Sequence, residues 1–255
     1  MLLVEKVVLI TGGARGIGRA ITERVVMEGG RAAVVDIAES GKDTARDLEE
    51  RGGQVLFVRA DVRREPDVVA AVAACVDRFG DIDVLVNNAG VNAYYDAVRM
   101  TEAEWDAVFA VDLKAAWLTA KHVLARMTTK RTGAIVNISS IHARLTTPGM
   151  FPYAAAKAGL EGLTRSLACD CGPYNVRVNA VAPGFTRTHL VDEWLNRQPD
   201  PAAAERAVLA QLPLGRMAEP ADVAAVVAFL ASDLACAVTG AVVSVDCGHS
   251  VKFAS

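Results

Sequence analysis

The chain has 255 residues, with 27 Lys and Arg against 30 Asp and Glu, 52% hydrophobic residues and 22% charged ones. That length supports one large, well-buried core, and the composition excludes a disordered or fibrous chain. A formal net charge of −3 leaves no basic footprint for nucleic acid. The longest apolar runs, from Val68 and from Val223, fall short of the roughly 20 residues that span a bilayer. Five cysteines (Cys75, Cys169, Cys171, Cys236 and Cys247) form no C-x-x-C pair, and the four histidines show no metal-ligand spacing. Reduced thiols, a cytoplasmic location, no membrane partner and no metal are the expectations.

The apolar run Val7–Ile10 has the character of a strand buried on both faces, and it leads through TGGARGIG into a helical pattern that ends near Met27. A second strand, AAVVD, ends at Asp36. A charged helix over Ser40–Arg51, the strand VLFVRADV, an alanine-rich helix to Phe79 and the strand in IDVLVNNAG complete the first half at Gly90. The second half continues with a helix around Thr101–Met127, strand AIVNIS, a helix holding Tyr153 and Lys157, strand VRVNAVAP, a helix at Pro220–Ala231 and a last strand AVVSVD. The alternation predicts an α/β fold: one Rossmann-like, doubly wound parallel sheet of about seven strands with helices on both faces. With no linker or repeat, residues 1–255 read as a single domain. Thr188–Leu212 departs from the alternation, carries Pro199 and Pro201, and is expected to cover a site as a lid over about 188–213.

TGGARGIG, Thr11 to Gly18, follows a strand and opens a helix, the context in which glycines let backbone N–H groups and a helix N-terminus approach a pyrophosphate. Asp36 ends the second strand 18 residues after Gly18. A carboxylate there accepts from ribose hydroxyls and repels a 2′-phosphate, which favours NAD over NADP. Arg15 and Arg19 argue the other way, since a guanidinium in this turn can pair with a 2′-phosphate.

Tyr153 and Lys157 are four residues apart, so on a helix they share one face. An ammonium beside a phenol favours the phenolate, which suits proton transfer to or from a bound substrate. The pair gains meaning from its company: TGGARGIG, Asp61–Val62, NNAG at 87–90, Ser140, YAAAK at 153–157 and the Pro183–Gly184 pair occur in order. Together, from Lys6 to about Gly248, they resemble the short-chain dehydrogenase/reductase family. The resemblance implies a nicotinamide cofactor held by Gly12, Arg15, Gly16, Ile17 and Gly18 in the glycine turn and by Asp36 beside it. Asp61 and Val62 would meet the adenine, and Asn88, Ala89 and Gly90 would run beneath the cofactor. Pro183, Gly184, Phe185, Thr186 and Thr188 would form the loop at the carboxamide. It further implies that Tyr153 exchanges the proton, that Lys157 holds the nicotinamide ribose, and that Ser140, 13 residues before Tyr153, orients the substrate oxygen. Ser139 is offset by one residue and would face the other side of a strand. Relatives commonly form homotetramers, the assembly this implies.

Asp112 stands where the family usually has an asparagine that holds a water in a proton relay; a carboxylate can accept from that water but, ionised, cannot donate. It is counted with Ser140, Tyr153 and Lys157 as a catalytic candidate. Around the substrate, Asn92, Tyr94, Tyr95, His142, Arg144, Phe185, His189 and Trp194 are candidates. Arg144 can fork onto a carboxylate and His142 can bond a hydroxyl, which points to a sugar, sugar acid, polyol or hydroxy acid; the alternative places Arg144 in solvent or against a neighbouring subunit. A 3-oxoacyl-acyl-carrier-protein reductase is the second reading, opposed by Asp36 and by the lack of a basic residue in 166–176. A catalytically silent NAD-binding regulator is the third, disfavoured by the intact Ser140, Tyr153 and Lys157.

Overall fold

The computed structural model describes residues 1–252. Seven strands, β1 (Val7–Thr11), β2 (Arg31–Asp36), β3 (Gln54–Arg59), β4 (Val84–Asn87), β5 (Gly133–Ile138), β6 (Val176–Pro183) and β7 (Val242–Val245), form one sheet in the order β3-β2-β1-β4-β5-β6-β7. Every pairing is parallel. The alternation expected from the sequence is therefore the observed fold.

Side chains leave the strands alternately on the two faces. Val8, Ile10, Ala32 and Val34 pack with α1 (Gly16–Met27), α2 (Gly41–Glu50) and α9 (Pro220–Ala231). Val7, Leu9, Ala33 and Val35 pack with α3 (Glu65–Phe79), α5 (Ala115–Lys130) and α6 (Tyr153–Cys171). Both faces are covered, which is why the strands read as unbroken apolar runs rather than as alternating ones. Proline at the first helical turn marks the starts of α3, α9 and α8 (Pro201–Gln211); Asp200 accepts from the Ala203 N–H at 2.9 Å at the head of α8.

One segment differs from expectation, and the helical segment expected after β6 gains definition. The helix expected around Thr101–Met127 is divided into α4 (Glu102–Phe109) and α5 by a π-helical turn at Ala110–Lys114. The irregular segment after β6 is two helices, α7 (His189–Asn196) and α8, over a small separate cluster of Leu195, Val208, Leu212, Met217, Ala218 and Cys247. Arg187 ties them, pairing with Glu205 of α8 and, at 3.6 Å, with Asp192 of α7.

One polar cluster lies deep inside. Asn87 and Asn137 are direct partners in the β4–β5 register, and the Asn87 amide donates to Asn137 Oδ1 at 2.9 Å. Thr119 of α5 donates to Asn87 Oδ1, while the Asn137 amide donates to Thr164 of α6 at 2.9 Å. All four are buried, and each finds partners, as buried amides and hydroxyls must.

Candidate active site

The strand order reverses between β1 and β4, and a crevice at the carboxyl ends of the strands is the consequence of such a reversal. A cavity of about 510 Å³ occupies it. Its floor is the glycine turn. Gly12 has φ +65°, and a Cβ there would sit 2.8 Å from Ala89 Cα. A Cβ on Gly18 would lie 2.0 Å from the Gly12 carbonyl oxygen. The turn is clamped to β4: the Asn88 amide donates to Gly12 O at 2.8 Å and Thr11 O at 3.1 Å, and Thr11 Oγ1 accepts from the Asn88 and Ala89 N–H groups at 3.1 Å each. Arg15, Gly16, Ile17 and Gly18, at the N-terminus of α1, line the cavity, as do Asp36, Asp61, Val62, Asn88, Ala89 and Gly90.

Asp36 ends β2 with one oxygen accepting from the Ala14 N–H at 3.0 Å and the other from the Ala38 N–H at 2.9 Å. Two backbone donors fix the carboxylate at the cavity edge, and each oxygen keeps a lone pair for a ligand hydroxyl. Asp61 is engaged differently. Arg63 grips its carboxylate in a fork, Nε to Oδ1 at 2.9 Å and Nη2 to Oδ2 at 2.6 Å, and this hydrogen-bonded guanidinium holds the Asp61 carboxyl below its ordinary value. Arg63 itself lines the cavity, an addition to the sequence candidates.

Tyr153 opens α6, and both it and Lys157 line the cavity with Ser139 and Ser140. Lys157 is buried; its ammonium donates to Ile138 O at 3.2 Å and lies 5.5 Å from the Tyr153 ring centroid. Ser140 Oγ accepts from the His142 N–H at 3.2 Å, which leaves its own hydrogen free to donate. Ser139 Oγ instead donates to the Lys157 carbonyl at 3.3 Å. Both serines line the cavity, but only the Ser139 hydroxyl is spent on a backbone carbonyl.

Asp112 is brought in by the π-helical turn, a feature frequent at functional sites. It is fully buried, its Oδ1 accepts from the Val91 N–H at 2.9 Å, and the same oxygen is 3.8 Å from Lys157 Nζ. Gly90 makes room for this pair: a Cβ there would be 2.9 Å from Asp112 Oδ1 and 3.2 Å from Lys157 Nζ. Asp112 Oδ2 is buried without a hydrogen-bond partner among the described residues. Burial raises the Asp112 carboxyl above 3.8, and it outweighs the opposing pull of Lys157. Because the folded value lies above the unfolded one, the contribution of this group to stability is greatest below the unfolded value and is lost as pH rises through the folded one. Asp112→Asn does not titrate. The Tm difference, variant minus wild type, is therefore expected to rise from about pH 4 to about pH 8 in melts followed by circular dichroism, on top of a pH-independent loss from removing the partner of the buried Lys157. A pH-independent difference would contradict this origin. The variant should also keep turnover with a displaced pH–rate profile; a folded but inactive protein would contradict that part.

The remaining candidates divide. Asn92, His189, Pro183, Gly184, Thr186 and Thr188 line the cavity, joined by Leu190 and Val191 from the first turn of α7. His189 is turned toward Glu193 at 3.0 Å. Tyr94 lies outside the lining but near Tyr153; burial, then that neighbour, raises its phenol above the ordinary value. Phe185 and Trp194 face each other at 6.0 Å between ring centroids, away from the cavity lining, so the placement of Phe185 against a cofactor is not what the geometry shows. Arg144 requires the clearest revision. Its Nε donates to Glu161 Oε2 at 3.1 Å, and Glu161, on α6, is buried. The carboxylate that Arg144 meets belongs to this chain, and the guanidinium gives the buried Glu161 a polar partner.

Among the described residues no group of three His, Cys, Asp or Glu side chains could hold a metal ion, and no helix is long and apolar enough to cross a membrane.

This geometry has close parallels. Residues 12–250 match the family model described as enoyl-(acyl carrier protein) reductase. The chain is 42% identical over 248 residues to cis-4-hydroxycyclohexanecarboxylate dehydrogenase of Sinomonas cyclohexanicum, covering 96% of this chain and 97% of that protein. It is 40% identical over 249 residues to 3-oxoacyl-(acyl-carrier-protein) reductase of Thermotoga maritima, covering 97% and 99% respectively. The crystal structure of levodione reductase superposes with a TM-score of 0.94 at 36% identity, covering 98% of this chain and all of that one. The chain belongs to the short-chain dehydrogenase/reductase family. It is an oxidoreductase acting on alcohol or ketone groups with a nicotinamide cofactor.

Proposed function

We propose that the chain is an NAD-dependent dehydrogenase of secondary alcohols that carry a second polar group, a hydroxy acid or polyol. The observation that carries the cofactor choice is Asp36, held at the cavity edge by the Ala14 and Ala38 N–H groups. A dinucleotide suits the residues present: Gly12 and Gly18 leave no room for a side chain, and the α1 N-terminus opens on the same cavity. When bound, a nicotinamide supplies the acceptor for the hydride. The chain's own residues do the rest. Tyr153 takes the proton from the alcohol oxygen in oxidation and returns it in reduction, Ser140 donates to that oxygen as charge develops, and Lys157 holds the ribose. Asp112, which accepts from the Val91 N–H and lies 3.8 Å from Lys157 Nζ, positions the lysine. Assembly as a homotetramer in the cytoplasm completes the reading.

The test is a panel of sugars, polyols and hydroxy acids with NAD and NADP, following absorbance of the reduced cofactor. Wild type should prefer NAD. Asp36→Ala should move the NAD/NADP ratio of kcat/KM toward NADP by about 10- to 100-fold, the worth of a hydrogen bond to a charged group. A wild-type preference for NADP would sink the Asp36 argument.

The Thermotoga relative favours a second reading, reduction of a 3-oxoacyl thioester on a carrier protein. Faster turnover of such a thioester with NADPH than of any alcohol with NAD would establish it instead.

A further inference from the structure

The two groups that converge on the substrate oxygen stand on different elements. Ser140 follows β5 and heads the short turn Ile141–Ala143, whereas Tyr153 opens α6. The covalent path between them runs through residues 144–149, which are exposed and hold neither strand nor helix. Such a segment does not by itself fix a distance, so contacts across the gap must do so.

Each side of the gap is a unit. The Ala143 N–H donates to Ser140 O at 3.0 Å, and the Arg144 and Leu145 N–H groups donate to Ile141 O at 3.0 and 2.9 Å. Arg144 therefore moves with Ser140. On the other side, Tyr153, Lys157 and Glu161 follow one another at four-residue intervals along α6, on one face of the helix. Ser139 Oγ donates to Lys157 O at 3.3 Å and Lys157 Nζ to Ile138 O at 3.2 Å, which ties the end of β5 to α6. His142 adds an edge-on ring contact with Tyr153, 6.1 Å between centroids. The turn itself is tied by Arg144, whose Nε donates to Glu161 Oε2 at 3.1 Å. Glu161 is buried, its Oε1 has no hydrogen-bond partner among the described residues, and the next cation, Arg165 Nη1, is 4.0 Å from Oε2. A buried carboxylate with one close donor holds it firmly, since parting them leaves the group unpaired.

We propose that Arg144 and Glu161 are positioning residues for the reaction: the pair is a strut that sets the distance between Ser140 Oγ and the Tyr153 hydroxyl. Its catalytic consequence rests on the roles given above to Ser140 and Tyr153; the tether itself does not. Arg144 thus serves the active site without touching the substrate.

Arg144→Met leaves the Glu161 carboxylate without its donor, and the double variant Arg144→Met/Glu161→Met replaces both members by apolar side chains. The single variant should melt below wild type. The double should recover most of that loss, since apolar residues often replace a buried ion pair without penalty. In both, kcat for the alcohol that wild type oxidises fastest should fall about 10- to 100-fold, the effect of a displacement of about 1 Å, while NAD affinity by calorimetry stays within about twofold. Recovery of kcat together with Tm in the double variant would make the pair merely structural and overturn the proposal. A single variant that does not fold leaves the double variant to decide. Hydrogen exchange of the full chain without substrate is the second readout: the Ala143 and Leu145 amides should exchange about tenfold faster in the double variant. Unchanged protection there overturns the tether whatever the activity. A wild type that oxidises no alcohol, with faster exchange in the double variant, refutes the functional reading alone.

Discussion

Tyr153→Phe lowers kcat by about a hundred- to ten-thousand-fold, the range that a positioned proton donor contributes, while cofactor affinity and Tm stay near wild type. The substitution removes only the hydroxyl. The ring keeps its edge contact with His142 at 6.1 Å and its place 5.5 Å from the Lys157 ammonium. Lys157 also keeps its bond to the Ile138 carbonyl, so the buried amine is not left without an acceptor. Steady-state oxidation rates with the preferred alcohol, together with calorimetric cofactor binding, check the result. Activity within tenfold of wild type would mean that another group moves the proton, and Tyr94, the phenol adjacent to Tyr153, would be the first to examine.

Gly18→Ala gives the largest effect on the cofactor side. The added methyl would lie 2.0 Å from the Gly12 carbonyl oxygen and 2.5 Å from Asn88 Nδ2. Neither neighbour can yield cheaply. The carbonyl is backbone, and the amide is the clamp that ties the glycine turn to β4 through Gly12 O and Thr11 O. Opening the clamp separates the turn from the strand end that carries Ala89 and Gly90. Overpacking of a site with little freedom costs about 3 kcal/mol at the upper end of the usual range, and it also displaces the backbone groups that face a pyrophosphate. Loss of measurable NAD binding and a Tm well below wild type are expected in calorimetry and thermal melts. Wild-type values for both would show that the turn has room the structure does not show.

Much of the frame was readable from residue order. Apolar runs such as Val7–Ile10, bounded by turn residues, became buried strands because a parallel sheet covered on both faces imposes that pattern. Pro220 marked the start of α9 where it stands. The glycine turn and the Tyr153–Lys157 spacing were legible because their signals are local. What escaped depends on contacts distant in sequence. The π-helical turn at Ala110–Lys114 accompanies an Asp112 that bonds to the Val91 N–H, 21 residues away. Between a ligand carboxylate and solvent or a neighbouring subunit, the sequence leaves Arg144 open; nothing local pairs it with Glu161, 17 residues on, which is buried.

The buried amides at the centre of the sheet bear on how this chain can tolerate change. Asn87 and Asn137 face each other across β4 and β5, with hydroxyls from α5 and α6 completing their bonds. A slip of one residue between these strands would put the two amides on opposite faces of the sheet and leave them unpaired in apolar layers. The four side chains therefore act as an index pin between the two halves of the molecule. Just beyond the pin, β4 runs into the residues that grip the glycine turn, and β5 into Ser139 and Ser140. The spacing between the glycine turn and the serines beside Tyr153 is set there, upstream of the loops that rim the cavity. Loops such as Asn92–Tyr95 or the α7–α8 segment can diverge from one relative to the next without disturbing that alignment.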